Sequence, residues 1–229
     1  MKIKAITILC LLITIFQCCI NRKKPHKLAS GLSESDTMHM SDNVHIQTCD
    51  TLVYSNVNKN SGKYPWIYDW NKFISDEIIK NKEIFLDRDS LYKNDLDKLC
   101  PNYYKCSEKE KIALWTLLFA SIAKYESNFN PNCRFHEPPP LNVYSEGLFQ
   151  LSYGDETRYN NVPLDSEKQN ILVPEVNLRT GVIIFAVQLE KRKSIFTKRH
   201  FYWSVLTNKQ NDIIRFFQDN ADELNICNK

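Results

Sequence analysis

The chain has 229 residues, a formal net charge of +3, and 43% hydrophobic against 25% charged residues. That length suits one domain with or without a tail, and the composition is that of an ordinary globular protein rather than a disordered chain. Five scattered glycines (Gly31, Gly62, Gly147, Gly154, Gly181) make no dinucleotide or P-loop phosphate cradle. The small charge and the lack of a basic stripe argue against nucleic acid, and few glycines among many helix formers argue against an all-β sandwich.

In chain order, the amino end reads as a targeting segment. Met1-Lys-Ile-Lys4 is a basic start, and Ala5 to Phe16 is an apolar run of twelve residues. That run is short for a bilayer span and suits the core of a secretory signal. Gln17-Cys18-Cys19 follows directly, and a cysteine at that place resembles a bacterial lipoprotein signal. The expectation is residues 1–18 as a signal, Cys18 or Cys19 as the acylated residue, and an exported, periplasmic, membrane-tethered protein. The alternative is a plain secretory signal or a short anchor. Residues 19–62 are polar, sustain no period, and read as a tether, partly ordered near Cys49. Disulfides are plausible in an exported protein. Cys100 and Cys106, flanking a short loop, are the expected pair, although connectivity is not readable from sequence.

The domain spans 63–229. Trp66 to Ile79 predicts a first helix, and Leu91 to Leu99 a short second one. Ser107-Glu-Lys-Glu110 is a capping box that opens the clearest helix, with Ile112, Trp115, Phe119 and Ile122 at helical spacing. Asn130-Pro131 ends it. A further helix is predicted from Glu175 to Arg192, with Leu178, Val182, Phe185 and Leu189 as its core stripe. Its basic end, Lys191 to Lys193, suits the helix dipole. Shorter ones are expected near His200 to Leu206 and Asp212 to Phe217. The expected fold class is mainly α in a single domain.

Glu126 carries the chemistry. It lies fourteen positions after Ile112 and seven after Phe119, on the apolar stripe and in the last helical turn. Burial and the dipole both disfavour its charge there, so its pKa should rise, as a general acid for a glycosidic oxygen requires. The plainer alternative is a solvent-facing glutamate, or one paired with Lys124 or Arg134.

Tyr125-Glu126-Ser127-Asn-Phe129-Asn-Pro131 is followed by Ser145-Glu-Gly147-Leu148-Phe149-Gln150-Leu151-Ser152. Together these segments resemble the transglycosylase SLT family of lysozyme-like domains and, more distantly, goose-type lysozymes. Phe149 stands where the family usually has methionine. Asn177-Leu-Arg-Thr-Gly181 matches a third feature. Phe201-Tyr202-Trp203 is the nearest counterpart of a late Ala-Tyr-Asn motif, with Trp203 in place of the asparagine. The motif core covers 107–206. The segment from Glu126 to Gly147 is longer than usual and carries Pro138-Pro-Pro140, a stiff rim.

The resemblance implies a lysozyme-like fold of the α+β lysozyme superfamily and a peptidoglycan lytic transglycosylase. Glu126 would act as general acid and then base on the β-1,4 bond between N-acetylmuramic acid and N-acetylglucosamine. A 1,6-anhydromuramyl end would result. Ser127, Ser145 and Gln150 would contact sugar groups. Gly147 would let the backbone approach the glycan, and Leu148 and Phe149 would floor the cleft. Tyr202 would donate a hydrogen bond to Glu126 or to an N-acetyl group. Asp155, Glu156 or Glu137 could instead position a water, which would make the enzyme a hydrolytic muramidase; otherwise Asp155 and Glu156 are turn and helix-start residues. A glycan-binding lipoprotein of the same fold without turnover is the alternative from another class. Cys133-x-x-His136 is half a zinc pattern with no second pair, so no metal and no organic cofactor are expected.

Overall fold

The computed structural model describes Val53, Val57, Asn58 and residues 62–197 and 201–228. The signal, Cys18, Cys19 and most of the tether lie outside the described residues.

The central element is a helix at Glu108–Ser127, here α3. Its capping box forms as expected: Ser107 accepts from the Glu110 amide, and the Glu110 carboxylate accepts from the Ser107 amide at 2.8 Å. Every side chain from Ala113 to Ala123 is buried, so α3 is enclosed all round rather than along one stripe. Its buried hydroxyls return bonds to its own carbonyls, Thr116 to Ile112 and Ser121 to Leu117. Asn128 and Phe129 then take left-handed backbone with φ of 51° and 62° and reverse the chain. Phe129 is held there edge-on to Trp66 at 5.2 Å.

Around α3 stand α1 (Tyr68–Lys80), α5 (Pro174–Arg192) and α7 (Gln210–Glu223), with α2 (Lys93–Leu99), α4 (Asp155–Arg158) and α6 (Val205–Asn208) as short pieces. Helices α1 and α7 pack on α3, and α1 also packs on α5. A π turn at Glu83–Asp87 and a 3-10 turn at Asp89–Tyr92, neither predicted, deliver Phe85 into the centre. There the rings of Phe85, Trp115, Phe119, Phe149, Phe185, Phe201 and Trp203 interlock, mostly edge to face, the favoured geometry for such rings.

Four expectations need correction. Val53 and Val57, assigned to the tether, are fully buried in the core, and the Asn58 side-chain amide donates to the Trp66 carbonyl and accepts from the Trp66 N–H. Two branched apolar residues in a polar stretch carried too weak a period to be read. The expected Cys100–Cys106 pair does not form. Cys100 bridges Cys227, 127 residues away, because the end of α2 and the carboxyl terminus meet in space. The helix expected near His200–Leu206 starts only at Val205. Phe201 and Trp203 are buried while the intervening Tyr202 faces another way, an alternation that a helix would not give. Finally, a two-stranded hairpin was missed. β1 (Arg134–His136) pairs antiparallel with β2 (Tyr144–Glu146), Arg134 opposite Glu146 and Phe135 opposite Ser145. The proline run lies in the loop that joins the two strands.

Candidate active site

The site begins where α3 ends. Glu126 is half-buried in the last turn of that helix. Among the described residues no hydrogen bond or ion pair reaches its carboxyl. Both partners that would have neutralised it are engaged elsewhere. Lys124 donates to Asn128 at 2.8 Å, and Arg134 is bound to Glu146 across the hairpin at 2.5 Å. Burial drives the Glu126 pKa up, the charge of Glu137 adds to the rise, and together they bring it to about 8.

The hairpin carries Glu137 to this place. Glu137 follows β1 directly, and its backbone N–H donates to the Val143 carbonyl at 2.8 Å. The Ser145 hydroxyl donates to the Glu137 carboxylate at 2.8 Å. Ser145 is therefore a partner of Glu137, a link that spacing alone does not reveal.

The second motif is locked into a tight loop. Glu146 and Leu151 exchange two backbone hydrogen bonds, and the Gly147 amide donates to the Cys133 carbonyl. Gly147 takes φ of 78°, and a Cβ on it would sit 2.3 Å from the Asn177 amide nitrogen. Asn177 reaches up from the first turn of α5. It accepts from the Phe149 amide at 2.8 Å and donates to the carbonyls of Glu146 and Ile171. Gly147 is thus required by Asn177 and by the turn. Phe149 is fully buried and rests on Gly181, where a Cβ would come within 2.1 Å of the ring. Leu148 is equally buried. Trp203 donates its indole N–H to the Phe149 carbonyl at 2.8 Å and ties the late segment to the loop.

Two residues expected at the sugar have hydrogen-bond partners within the chain. Ser127 is 1% exposed, and its hydroxyl donates to the Ala123 carbonyl. Gln150 donates its amide to the carbonyls of Gly147 and Cys133, bracing the loop. Tyr202 stands close enough to Glu126 to sense its charge. Its hydroxyl does not donate to that carboxylate. It donates in a short hydrogen bond to Asp155, a buried residue that also accepts from the Ser152 amide at 3.0 Å. Glu156 accepts from the Ser166 amide instead and holds a loop.

The arrangement therefore gathers an unpaired, late-titrating carboxyl (Glu126), an oriented second carboxyl (Glu137) and a phenol (Tyr202) held by a third (Asp155). Such a set can give and retake a proton where water is partly excluded.

No protein-family model matches this chain, and no curated protein does. Among solved structures, its fold is similar to that of the Bdellovibrio protein DslA. A glutamate-to-glutamine variant of DslA superposes with a TM-score of 0.53 at 20% identity, covering 70% of this chain and 93% of that one. A wild-type form gives a TM-score of 0.51 at 21% identity, with the same coverage.

Proposed function

We propose that this protein is a lytic transglycosylase of lysozyme-like fold that cleaves peptidoglycan strands at the bond between N-acetylmuramic acid and N-acetylglucosamine. The observation that carries the reading is Glu126. It is a half-buried carboxyl without a hydrogen-bond donor among the described residues, raised to about 8 and so mostly protonated at neutral pH. The two motifs around it support the glycan as substrate. The fold shared with DslA agrees with that reading.

The proton of Glu126 goes to the bridging oxygen as its bond to C1 of the muramyl ring breaks. The carbonyl oxygen of the sugar's own N-acetyl group closes on C1 and carries the developing charge. Glu126, now a carboxylate, takes the proton of the C6 hydroxyl. That oxygen displaces the N-acetyl oxygen from C1 and leaves a 1,6-anhydro end. Burial that keeps Glu126 neutral at the start also makes it a good base once ionised, because the same surroundings favour its reprotonation.

A second reading has its own observation. Glu137 lies near enough to Glu126 to raise its pKa and is oriented by Ser145. A carboxylate so placed suits activation of water, and the product would then be a reducing end, as from a muramidase. Export through the amino-terminal segment, with acylation at Cys18 or Cys19, places the enzyme at the periplasmic face of a membrane beside its substrate.

The test is digestion of purified sacculi followed by mass spectrometry. Anhydro ends are expected from the wild type and no release from Glu126→Gln, with glycan binding retained. Reducing ends would establish the muramidase. Equal cleavage by wild type and variant would remove Glu126 as the acid, and binding without cleavage by both would leave a glycan-binding protein.

A further inference from the structure

The Tyr202–Asp155 pair is unused by the mechanism above. The tyrosine feels two acids. Its O–H donates to the Asp155 carboxylate, which is 1% exposed and also held by the Ser152 amide at 3.0 Å. Arg158 approaches the other Asp155 oxygen only at 3.9 Å. Glu126 is near enough for its charge to reach Tyr202, and among the described residues no hydrogen bond joins the two. A phenol has one proton. With that proton directed at Asp155, Tyr202 has only lone pairs for a further partner.

We infer that Asp155 is a positioning residue that turns Tyr202 into a hydrogen-bond acceptor, aimed at the amide N–H of the sugar's N-acetyl group. This rests on the glycan-cleaving function proposed above. The chemistry follows from charge. When the N-acetyl carbonyl oxygen bonds to C1 and the C1–bridge bond breaks, its electron pair leaves with the bridging oxygen, which takes the Glu126 proton. Positive charge then spreads over the N-acetyl carbon and nitrogen, and its N–H becomes a stronger donor. An acceptor fixed beforehand stabilises that state more than the ground state. The carboxylate behind the phenol polarises the O–H and makes its oxygen a better acceptor. The rings of Tyr159 and Trp203 flank Tyr202 at 6.4 and 4.8 Å and hold its plane.

The test is a double-mutant cycle of Tyr202→Phe and Asp155→Asn on a soluble glycan substrate, with folding checked by thermal denaturation. Each single variant should lower kcat by about 10- to 100-fold with KM changed less than about 3-fold. The double variant should be no slower than the worse single one, because the two act as a unit. Losses that multiply, or a change confined to KM, would overturn the inference. Two further measurements do not need turnover. The Tyr202 hydroxyl proton should appear far downfield in the proton NMR spectrum, vanish in Tyr202→Phe and move upfield in Asp155→Asn. In the Glu126→Gln background, each variant should weaken binding of an N-acetylglucosamine tetramer, and unchanged binding would overturn the acceptor role. If the wild type cuts no sacculi, the proposed function fails, and the pairing and the sugar contact are still decided by these two results.

Discussion

Glu126 ends a helix with its carboxyl half out of water and, among the described residues, no donor to replace the water it lost. Lys124 and Arg134, the two cations a sequence reader would assign to it, are held by Asn128 and Glu146. The consequence for pH is definite in sign. In the proposed mechanism the protonated form starts the reaction, so cleavage should fall as pH rises through about 8. Removing the nearby charge with Glu137→Gln should move that alkaline limb to lower pH, by less than one unit, because burial is the larger cause. A pH–rate profile of sacculus digestion reads both. Stability carries the same signature. The folded chain keeps a proton that the unfolded chain releases above the ordinary 4.5, so native stability at this site declines between pH 4.5 and about 8. Glu126→Gln should therefore gain relative to wild type on going from pH 4 to pH 9, by about 2 kcal/mol. That is under half of the unscreened value, since the group is partly hydrated. Urea denaturation at the two pH values measures it, and a constant difference would mean that Glu126 titrates like a free glutamate.

Between elements, the site depends on Asn177 more than on any motif residue beside it. One amide side chain from the first turn of α5 satisfies the Phe149 N–H and the carbonyls of Glu146 and Ile171. Asn177→Ala should cost about 3 kcal/mol, the penalty for leaving such groups unpaired in the interior, and should lower kcat of the proposed reaction by loosening the loop that follows β2. Gly147→Ala should cost at least about 2 kcal/mol, because a Cβ would strike Asn177 and the backbone is left-handed there. Thermal denaturation separates these losses from loss of activity alone. At this scale the sequence is legible in part. The start of α3 is written locally in Ser107 and Glu110, and so is its reversal near Asn130-Pro131, because caps and breakers act over three or four residues. The hairpin was not legible, since three-residue strands are too short to display a period of two. Nor could the motif residues be sorted. Ser127, Gly147 and Gln150 stand in the segments that carry the resemblance, and their observed hydrogen bonds and packing reach the helix end and the loop. A pattern of residue types does not distinguish a residue that shapes a site from one that touches a ligand. The partner of the Tyr202 hydroxyl was not legible either, because Asp155 comes to it from 47 residues away.

At the scale of the whole molecule, the chain closes on itself twice. Val53 and Val57 bring the segment before α1 into the core, and Cys227 brings the carboxyl end back to Cys100 at the end of α2. Asn102 reinforces the second closure by donating to the Cys227 carbonyl at 3.0 Å. The bridge also bounds α7, whose Phe216 and Phe217 pack against the central helix region, Phe216 on the ring of Tyr125 next to Glu126. Loosening the carboxyl end therefore reaches the site through α7. A loop of 127 residues is long, and in the chain-entropy account its closure restricts the unfolded ensemble by about 5 kcal/mol. Cys100→Ser with Cys227→Ser should lower stability by up to that amount, reduce the melting temperature by several degrees at least, and leave the fully folded fraction still able to cleave sacculi. Reduction of the wild type with dithiothreitol should reproduce the shift, and reduction of the double variant should add nothing to it. A wild-type melting curve indifferent to reductant would mean that the two ends are held by packing alone. The stability of the end of α3 would then rest on the buried aromatic residues of α7.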